Sequence, residues 1–427
     1  MRRTVLQNAH LIDHRGDHGK ADLYLRDDVI EGIDLGGEVA QTIDVAGAVV
    51  TPAFIDLHAH LREPGQEVKE DLRSGLGAAV AGGYGTVVSM ANTTPVVDEP
   101  GLVTEMLSKS EALGLARLRP AAALSRGLQG KQLTDFAALR EAGAVMITDD
   151  GEPVKDAHLL RRACEYAAEL GLVVQTHSEE PGLRQDGVMN EGLVSQRLGL
   201  PGNPVAAEAA MIYRDCEVAM LSGGRLHVAH VSSKRGLQVV EWFKAQGAPV
   251  TAEVTPHHLT LSDETLEGFD PVYKVAPPLR THDDVAYLRN ALIRGVIDAI
   301  GTDHAPHTQA EKERDLLEAP FGIANIEVTF PLLYSELVAN GGLELSTLLD
   351  LLQGGPARVM GWQVPTLEAT RAADLVVLDL ETGRRVAPET FKSKAKQSPW
   401  TGQVLKGWPV MTFVRGKMVF EREVLSD

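Results

Sequence analysis

An alternation of short apolar segments with helix-patterned segments runs through the middle of the chain and limits the folds open to it. Each of eight apolar segments ends in polar or charged residues, and most precede an amphipathic stretch such as 156–170 or 205–221. This order predicts parallel strands joined by helices. Eight such units in about 310 residues predict an α/β fold of the TIM (β/α)8 barrel type. The segments are VVTPAFIDLHAH, YGTVVSMANTTP, RLRPAAALSRG, AVMITDDG, VVQTHSEE, RLHVAHVSS, PVTAEVTPHHL and DAIGTDHAPH.

The two ends of the chain have a different pattern from the middle. Residues 3–50 and 373–420 contain short stretches of alternating apolar and polar residues, separated by glycine and aspartate turns. Such alternation is typical of antiparallel strands. We therefore expect a small β-sandwich domain formed by both termini, residues 1–51 and 365–427, beside a catalytic barrel of residues 52–364.

Net charge and cysteine content indicate which binding partners and which cellular compartment the protein is suited to. The 41 basic and 59 acidic side chains give a net charge of −18, which disfavours nucleic acid or an anionic membrane as the main partner. The chain has no secretory signal pattern and no apolar run long enough to span a membrane. Its two cysteines, Cys164 and Cys216, form no CxxC motif or disulfide framework. These features predict a cytoplasmic protein with two reduced, buried thiols and a small-molecule substrate.

Side chains that bind metals recur where the predicted strands end, which is where a TIM barrel gathers its catalytic groups. Histidine and carboxylate ligands without thiolate suit zinc or a similar divalent ion. Six such ligands exceed the need of one tetrahedral ion but suit two ions that share a bridging group. The strand pattern alone does not decide whether Asp149 or Asp150, at the end of the fourth strand, is the ligand. The residues are His58, His60, Asp149, Asp150, His177, His230 and Asp303.

Eight motifs along the chain are more specific than these ligand types alone. In sequence order they resemble the motifs of bacterial dihydroorotases, which belong to the amidohydrolase superfamily. The resemblance covers essentially the whole chain, including KSKAKQSPWTGQVLKG near the C-terminus, and it implies a barrel of the metal-dependent hydrolase type. The motifs are DLHAHLREPG (56–65), MANTTP (90–95), TDDG (148–151), THSEE (176–180), AHVSS (229–233), EVTPHHL (253–259), KVAPPLR (274–280) and GTDHAPH (301–307).

The resemblance implies a zinc site with one or two ions per subunit, two being favoured. It favours Asp150 over Asp149, because the aspartate before the glycine is the ligand in the family's motif. Many superfamily members carry a carboxylated lysine at this bridging position, but TDDG offers no lysine, so we expect none. The implied metal ligands are His58, His60, Asp150, His177, His230 and Asp303.

The same motifs imply a substrate site. Arg62 is expected to hold the substrate carboxylate, because its planar fork matches that group, with Asn92 and His307 as helpers. Ala276 stands where the family often has an asparagine, so a side-chain contact to the ring is absent there. The charged stretch TQAEKERDLLEA (308–319) has the pattern of a mobile lid. The implied substrate-binding residues are His60, Arg62, Asn92, Ala276, His307, Phe321 and Gly322.

The implied activity is that of a zinc-dependent dihydroorotase, which reversibly cyclises N-carbamoyl-L-aspartate to L-dihydroorotate in pyrimidine biosynthesis. A metal-bound hydroxide is expected to attack the ring amide while Asp303 shuttles the proton. One alternative is an allantoinase, hydantoinase or dihydropyrimidinase, whose substrates lack the carboxylate. Another is a non-catalytic scaffold for aspartate transcarbamoylase, which would have lost metal ligands. The resemblance also implies a homodimer and leaves an association with aspartate transcarbamoylase open.

Overall fold

The computed structural model describes residues 3–422. Its strands are β1 (Arg3–Asp13), β2 (Gly16–Arg26), β3 (Val29–Ile33), β4 (Gln41–Asp44), β5 (Val49–Pro52), β6 (Phe54–Ala59), β7 (Tyr84–Ser89), β8 (Arg117–Ala123), β9 (Met146–Thr148), β10 (Val173–Thr176), β11 (Met189–Asn190), β12 (Gly202–Asn203), β13 (Arg225–Val228), β14 (Val250–Val254), β15 (Ala299–Ile300), β16 (Leu375–Asp379), β17 (Arg384–Arg385), β18 (Val404–Leu405), β19 (Trp408–Val414) and β20 (Lys417–Glu421).

The α-helices are α1 (Leu72–Ala81), α2 (Pro100–Leu113), α3 (Phe136–Glu141), α4 (Ala157–Leu170), α5 (Pro181–Arg184), α6 (Leu193–Leu198), α7 (Val205–Ser222), α8 (Lys234–Ala245), α9 (Pro256–Thr260), α10 (His282–Ile293), α11 (Gln309–Lys312), α12 (Thr329–Leu333), α13 (Leu345–Leu352) and α14 (Gly354–Met360). A π-helix spans Tyr334–Ala339. Short 3-10 helices cover Arg126–Leu128, Asp263–Gly268, Pro271–Tyr273 and Pro388–Thr390.

Eight parallel strands form the barrel predicted for the middle of the chain. They follow the order β6, β7, β8, β9, β10, β13, β14, β15, and each neighbouring pair is parallel. The first and last strands meet through their following residues: the N–H of Asp303 donates to the carbonyl of His58 at 2.9 Å, and the N–H of His60 to that of His304 at 2.8 Å. Each of the eight predicted segments supplies one strand of this barrel, and the first segment also contains β5 of the second sheet. The TIM-barrel prediction is therefore confirmed.

Amphipathic helices cover the outside of the barrel. In α4 the buried residues recur at helical spacing and face the core. Asp156 caps its first turn by accepting hydrogen bonds from two backbone amides, and Gly171 ends it in the left-handed conformation. Cys164 of α4 and Cys216 of α7 are buried free thiols, as predicted. Within residues 3–422, no helix combines the length and apolar character needed to cross a membrane.

Both termini build a second sheet next to the barrel. Its order is β20, β19, β16, β5, β1, β2, β3, with β4 paired to β1. Strand β16 runs antiparallel to both β5 and β19, which joins the two ends of the chain. This sheet has a hydrophobic cluster of its own that includes Leu11, Leu375 and Phe413. The β-rich terminal domain is thereby confirmed, while residues 1–2 and 423–427, which the prediction included, lie outside the described residues.

Candidate active site

The structure brings the six predicted metal ligands together at the carboxyl ends of the barrel strands. Their side chains are buried, although they come from five strand ends spread over about 245 residues of the chain. His58 lies in β6, and the others follow the ends of their strands: His60 after β6, Asp150 after β9, His177 after β10, His230 after β13 and Asp303 after β15.

Asp150 lies at the centre of the cluster. One carboxylate oxygen, Oδ2, lies 3.4 Å from His58 Nε2 and 3.5 Å from His60 Nε2. The other oxygen, Oδ1, lies 3.5 Å from His230 Nε2 and 3.8 Å from His177 Nδ1. Two groups of three ligand atoms therefore share this one carboxylate, and each group could hold a metal ion.

Asp303 lies in contact with the cluster, whereas Asp149 does not. Asp303 Oδ1 lies 3.1 Å from His60 Nε2 and 3.7 Å from His58 Nε2, beside the first group of ligands. Asp149 is turned away from the cluster: it accepts hydrogen bonds from the backbone amide of Ser125 at 2.9 Å and from its hydroxyl at 2.5 Å. The geometry therefore places Asp150, and not Asp149, among the histidines.

Three histidines of the cluster are oriented by partners outside it. The Nδ1–H of His58 donates to Glu253 at 2.7 Å, and the Nε2–H of His177 donates to Glu179 at 2.8 Å. The Nδ1–H of His60 donates to the amide oxygen of Asn92 at 2.9 Å. Each hydrogen bond fixes the tautomer that leaves the other ring nitrogen as a lone pair facing the cluster, an arrangement common around metal-binding histidines.

This donor set fits a divalent metal. His58 Nε2 and Asp150 Oδ1 are buried and have no hydrogen-bond partner among the described residues. The lone pair of His177 Nδ1 lies 3.0 Å from His230 Nε2, and that of His60 Nε2 faces the carboxylate of Asp303. Buried lone pairs that face one another are unfavourable, and a cation between them would satisfy them all. Nitrogen and oxygen donors without thiolate suit zinc.

Electrostatics keeps the carboxylates of the site ionised. Burial acts to raise the pKa of Glu253 and Glu179, but their hydrogen bonds to histidines outweigh it and lower both values to about 2. Burial also acts to raise the pKa of Asp150 and Asp303, but their contacts with the neighbouring histidines outweigh it and lower both values below the ordinary range. These groups are therefore anions at neutral pH, which is the form that binds metals and accepts protons.

A cavity of about 300 Å³ opens beside the cluster. Arg62 is buried next to it with a φ of +64°, and its Nε–H donates to the carbonyl of Pro306 at 3.1 Å. Burial lowers the pKa of Arg62 to about 10, so the guanidinium stays charged at neutral pH. The other predicted residues that line the cavity are His60, Asn92, Ala276, Phe321 and Gly322.

Known proteins match the chain along almost all of its length. Residues 47–236 match a family model described as dihydro-orotase-like. The chain is 55% identical to a dihydroorotase from Deinococcus radiodurans, over 96% of this chain and 97% of that protein. It is 53% identical to a dihydroorotase from Thermus aquaticus, over 98% of this chain and 99% of that protein.

The chain belongs to the dihydroorotase family. A solved structure of L-hydantoinase from Arthrobacter aurescens aligns with it at a TM-score of 0.88 and 26% identity, over 100% of this chain and 98% of that one. Family membership and shared fold identify the chain as a cyclic amide hydrolase. All six residues that the resemblance implied as metal ligands lie in one cluster, which a scaffold that had lost such ligands would not keep.

Other predicted residues of this family member lie around the cavity. His307 lies behind Arg62: its Nε2–H donates to the carbonyl of Phe321 at 2.8 Å, and Nε2 is 3.2 Å from Arg62 Nη2. Asn92 lines the cavity and accepts the hydrogen bond of His60 with its amide oxygen, which leaves its Nδ2 free of that contact. Ala276 lines the wall with a methyl group only. Gly322, at a φ of +142°, could not carry a side chain, since a Cβ would lie 2.7 Å from the carbonyl of Ala305.

Sequence reasoning missed Glu253, Glu179 and Arg184. Glu253 and Glu179 lie in the motifs EVTPHHL and THSEE, which offered a local signal, but the partner of Glu253 is 195 residues away in sequence. Arg184 lines the cavity and lies 5.3 Å from the ring of Phe321, and it belongs to no motif. His257 and His258 are buried beside the cluster. Burial lowers the pKa of His257 to about 4.

Proposed function

We propose that this chain interconverts L-dihydroorotate and N-carbamoyl-L-aspartate at a centre of two zinc ions. The observation that carries the proposal is the position of Asp150, whose two oxygens face separate pairs of histidines. A cavity with a buried arginine lies directly beside it. Relatives at up to 55% identity that are named dihydroorotase support the choice of substrate.

The proposed ligands divide into two groups. His58, His60 and Asp150 would hold one ion, and Asp150, His177 and His230 the other, with Asp303 next to the first group. When bound, the ions would polarise the amide carbonyl and make water a stronger nucleophile at neutral pH.

Asp303 is the proposed proton carrier. It is an anion at neutral pH, it contacts His60, and it lines the cavity in which the substrate would lie. In ring opening, Asp303 takes a proton from the attacking water and delivers it to the ring nitrogen that leaves. In ring closure, it takes the proton from the carbamoyl nitrogen. Closure consumes a proton overall, so the equilibrium shifts towards dihydroorotate as the pH falls.

Arg62 is proposed to recognise the carboxylate of the substrate. Dihydroorotate carries a carboxylate that takes no part in the reaction, and a guanidinium can bind such a group through two parallel hydrogen bonds. Arg62 has its Nε–H engaged by the backbone, which fixes the side chain beside the cavity. Allantoin, hydantoins and dihydrouracil lack this carboxylate, so a buried arginine favours dihydroorotate over them.

We further propose a cytoplasmic enzyme that forms a homodimer, with association with aspartate transcarbamoylase as the alternative assembly. Two buried free thiols support a reducing compartment. Size-exclusion chromatography with light scattering on the purified chain, alone and with the transcarbamoylase, separates the two assemblies.

The test of the proposed function is a substrate comparison on purified protein of known metal content. We expect two zinc ions per chain and a higher kcat/KM for dihydroorotate than for allantoin, hydantoin or dihydrouracil. If kcat/KM is higher for allantoin, hydantoin or dihydrouracil, the chain is instead an allantoinase, hydantoinase or dihydropyrimidinase. Absence of bound zinc together with no turnover of any of the four would favour the scaffold.

A further inference from the structure

Lys312 ends helix α11 in the segment between strand β15 and Phe321, and its side chain is buried. Its ammonium donates to three backbone carbonyls: Pro271 at 3.0 Å, Pro320 at 3.0 Å and Lys274 at 3.3 Å. An ammonium has three N–H donors. The three carbonyls therefore match the donors of this group, and all three lie outside the strands and α-helices, that of Pro271 in a short 3-10 helix.

The three carbonyls belong to the two loops that form one wall of the cavity. The loop after strand β14 supplies Val275 and Ala276 to the cavity, directly after the carbonyl of Lys274. The loop after strand β15 supplies Phe321 and Gly322, directly after the carbonyl of Pro320. Lys312 thus binds both loops at or next to their cavity-lining residues, because Lys274 precedes Val275 and Pro320 itself lines the cavity.

Lys274 connects the same two loops a second time. Its buried ammonium donates to the carbonyl of Leu317 at 3.0 Å and lies 4.6 Å from the centre of the Phe321 ring. Its own carbonyl accepts from the N–H of Gly322 at 2.9 Å. The segment 308–319, whose charges indicated a lid, therefore has one face exposed and one face fixed by lysines.

We propose that Lys312 is a positioning residue for substrate binding, which holds the loops after strands β14 and β15 in register so that Phe321 and Gly322 close one side of the cavity. Lys312 does not line the cavity itself, so it acts through these loops. Its kinetic effect rests on the proposed dihydroorotase activity, but its effect on loop order does not. Removing the ammonium leaves the carbonyl of Pro320 without a donor, while the carbonyls of Pro271 and Lys274 keep the N–H of Lys274 and of Gly322. The direct connection between the two loops through Lys312 is then lost, and an unpaired buried carbonyl is unfavourable.

The experiment compares Lys312→Met with Arg314→Met, which removes an exposed cation of the same segment. A displacement of about 1 Å can lower turnover by about a hundredfold. We expect kcat/KM for dihydroorotate to fall about 10- to 100-fold in Lys312→Met, mainly through KM, with zinc content unchanged. Hydrogen exchange should rise in peptides covering residues 271–276 and 308–322. Lys312→Arg should recover part of the loss, because it keeps the charge but not the compact arrangement of donors.

Two results would overturn the proposal. One is wild-type KM and wild-type exchange in Lys312→Met, and the other is faster exchange spread over the whole barrel, which would mean that Lys312 only stabilises the fold. If Lys312→Met fails to fold, Lys274→Met decides: the proposal requires a rise in KM and in the exchange of 308–322 there too. Raised exchange in 308–322 with no turnover of dihydroorotate by the wild type would keep the positioning role and reject the proposed substrate.

Discussion

Three residues of the site lie in the left-handed region of the backbone, although none is a glycine. The φ angles are +64° for Arg62, +34° for His230 and +47° for Asp303. This conformation is unfavourable by about 1–3 kcal/mol for such residues and persists where the surroundings enforce it. For Asp303 the enforcing contact is the hydrogen bond from its N–H to the carbonyl of His58. With this backbone conformation, His230 and Asp303 lie in the cluster and Arg62 lies at the cavity.

Asp303→Asn tests the proton carrier. An amide cannot accept the proton, so we expect kcat to fall by about 10² to 10⁴-fold, the usual contribution of general acid–base catalysis. The measurement is kcat for dihydroorotate hydrolysis, with zinc quantified in the same samples. A loss of only a few-fold at full zinc content would exclude Asp303 from this role.

Glu253→Gln tests a residue that orients a proposed metal ligand. Glu253 does not line the cavity, and it acts through its hydrogen bond to His58. Loss of such a partner typically weakens metal binding by about 10- to 100-fold. We expect that loss in a chelator competition titration with zinc, and recovery of most of kcat when zinc is in excess. The exposed Glu169→Gln is the matched control. Unchanged zinc affinity in Glu253→Gln would show that His58 is held in place without it.

At the scale of elements, strand β6 and the end of strand β15 are joined by one buried carboxylate. Asp56 accepts hydrogen bonds from the N–H and hydroxyl of Thr302, at 3.0 and 2.6 Å, and from the N–H of His58 at 3.1 Å. These bonds supplement the few backbone contacts that close the barrel. They also fix the two strand ends that carry His58, His60 and Asp303.

Asp56→Ala should therefore lower the free energy of unfolding by about 2 kcal/mol or more, since each of the two buried backbone donors left unpaired is worth about 1–3 kcal/mol, while the hydroxyl of Thr302 keeps the carbonyl of His58 as an acceptor. Urea denaturation of the zinc-free protein measures the change without a contribution from metal binding. The exposed Asp186→Ala should stay within about 0.5 kcal/mol of the wild type. A loss below about 1 kcal/mol in Asp56→Ala would mean that Asp56 is not needed for closure.

The barrel and the six clustered residues could be predicted because their signals are local. Each strand is a short apolar segment, and each candidate ligand lies near the carboxyl end of one, as His177 does after β10. Glu253, Arg184 and Lys312 were not predicted as functional. Their roles depend on partners brought near by the closed barrel, such as the carbonyls around Lys312. A backbone carbonyl has no signature in a sequence, so no pattern could identify that contact.

At the scale of the whole molecule, the C-terminal part of the chain supports the active-site end of the barrel. The hydroxyl of Ser393 donates to Glu70 at 2.5 Å and its N–H to Glu327 at 2.9 Å. The amide of Gln397 donates to the carbonyl of His307 at 3.0 Å. The loop that carries His307 is thus in contact with a segment that follows the barrel in sequence.

Glu327→Gln tests this contact through the pH dependence of stability. Burial raises the pKa of Glu327 to about 7, so the folded protein binds a proton that the unfolded chain releases near pH 4.5. Stability contributed by this group is complete below pH 4.5 and is lost as the pH rises towards 7. Because glutamine never ionises, the stability of Glu327→Gln relative to wild type should rise by roughly 2–4 kcal/mol from pH 4.5 to pH 8. A difference that is constant with pH would contradict the shifted pKa.

We propose that Arg62, a buried arginine beside a two-metal centre, selects a ring that carries a carboxylate. The most direct measurement is kcat/KM for dihydroorotate and for dihydrouracil in the wild type and in Arg62→Met, with zinc quantified in both proteins. Two charge-assisted hydrogen bonds of about 1.5–3 kcal/mol each correspond to about 10² to 10⁴-fold in kcat/KM.

We predict a loss of that size for dihydroorotate, little change for dihydrouracil and the same zinc content in both proteins. If Arg62→Met hydrolyses dihydroorotate as well as the wild type does, or if the wild type prefers dihydrouracil, the claim is wrong.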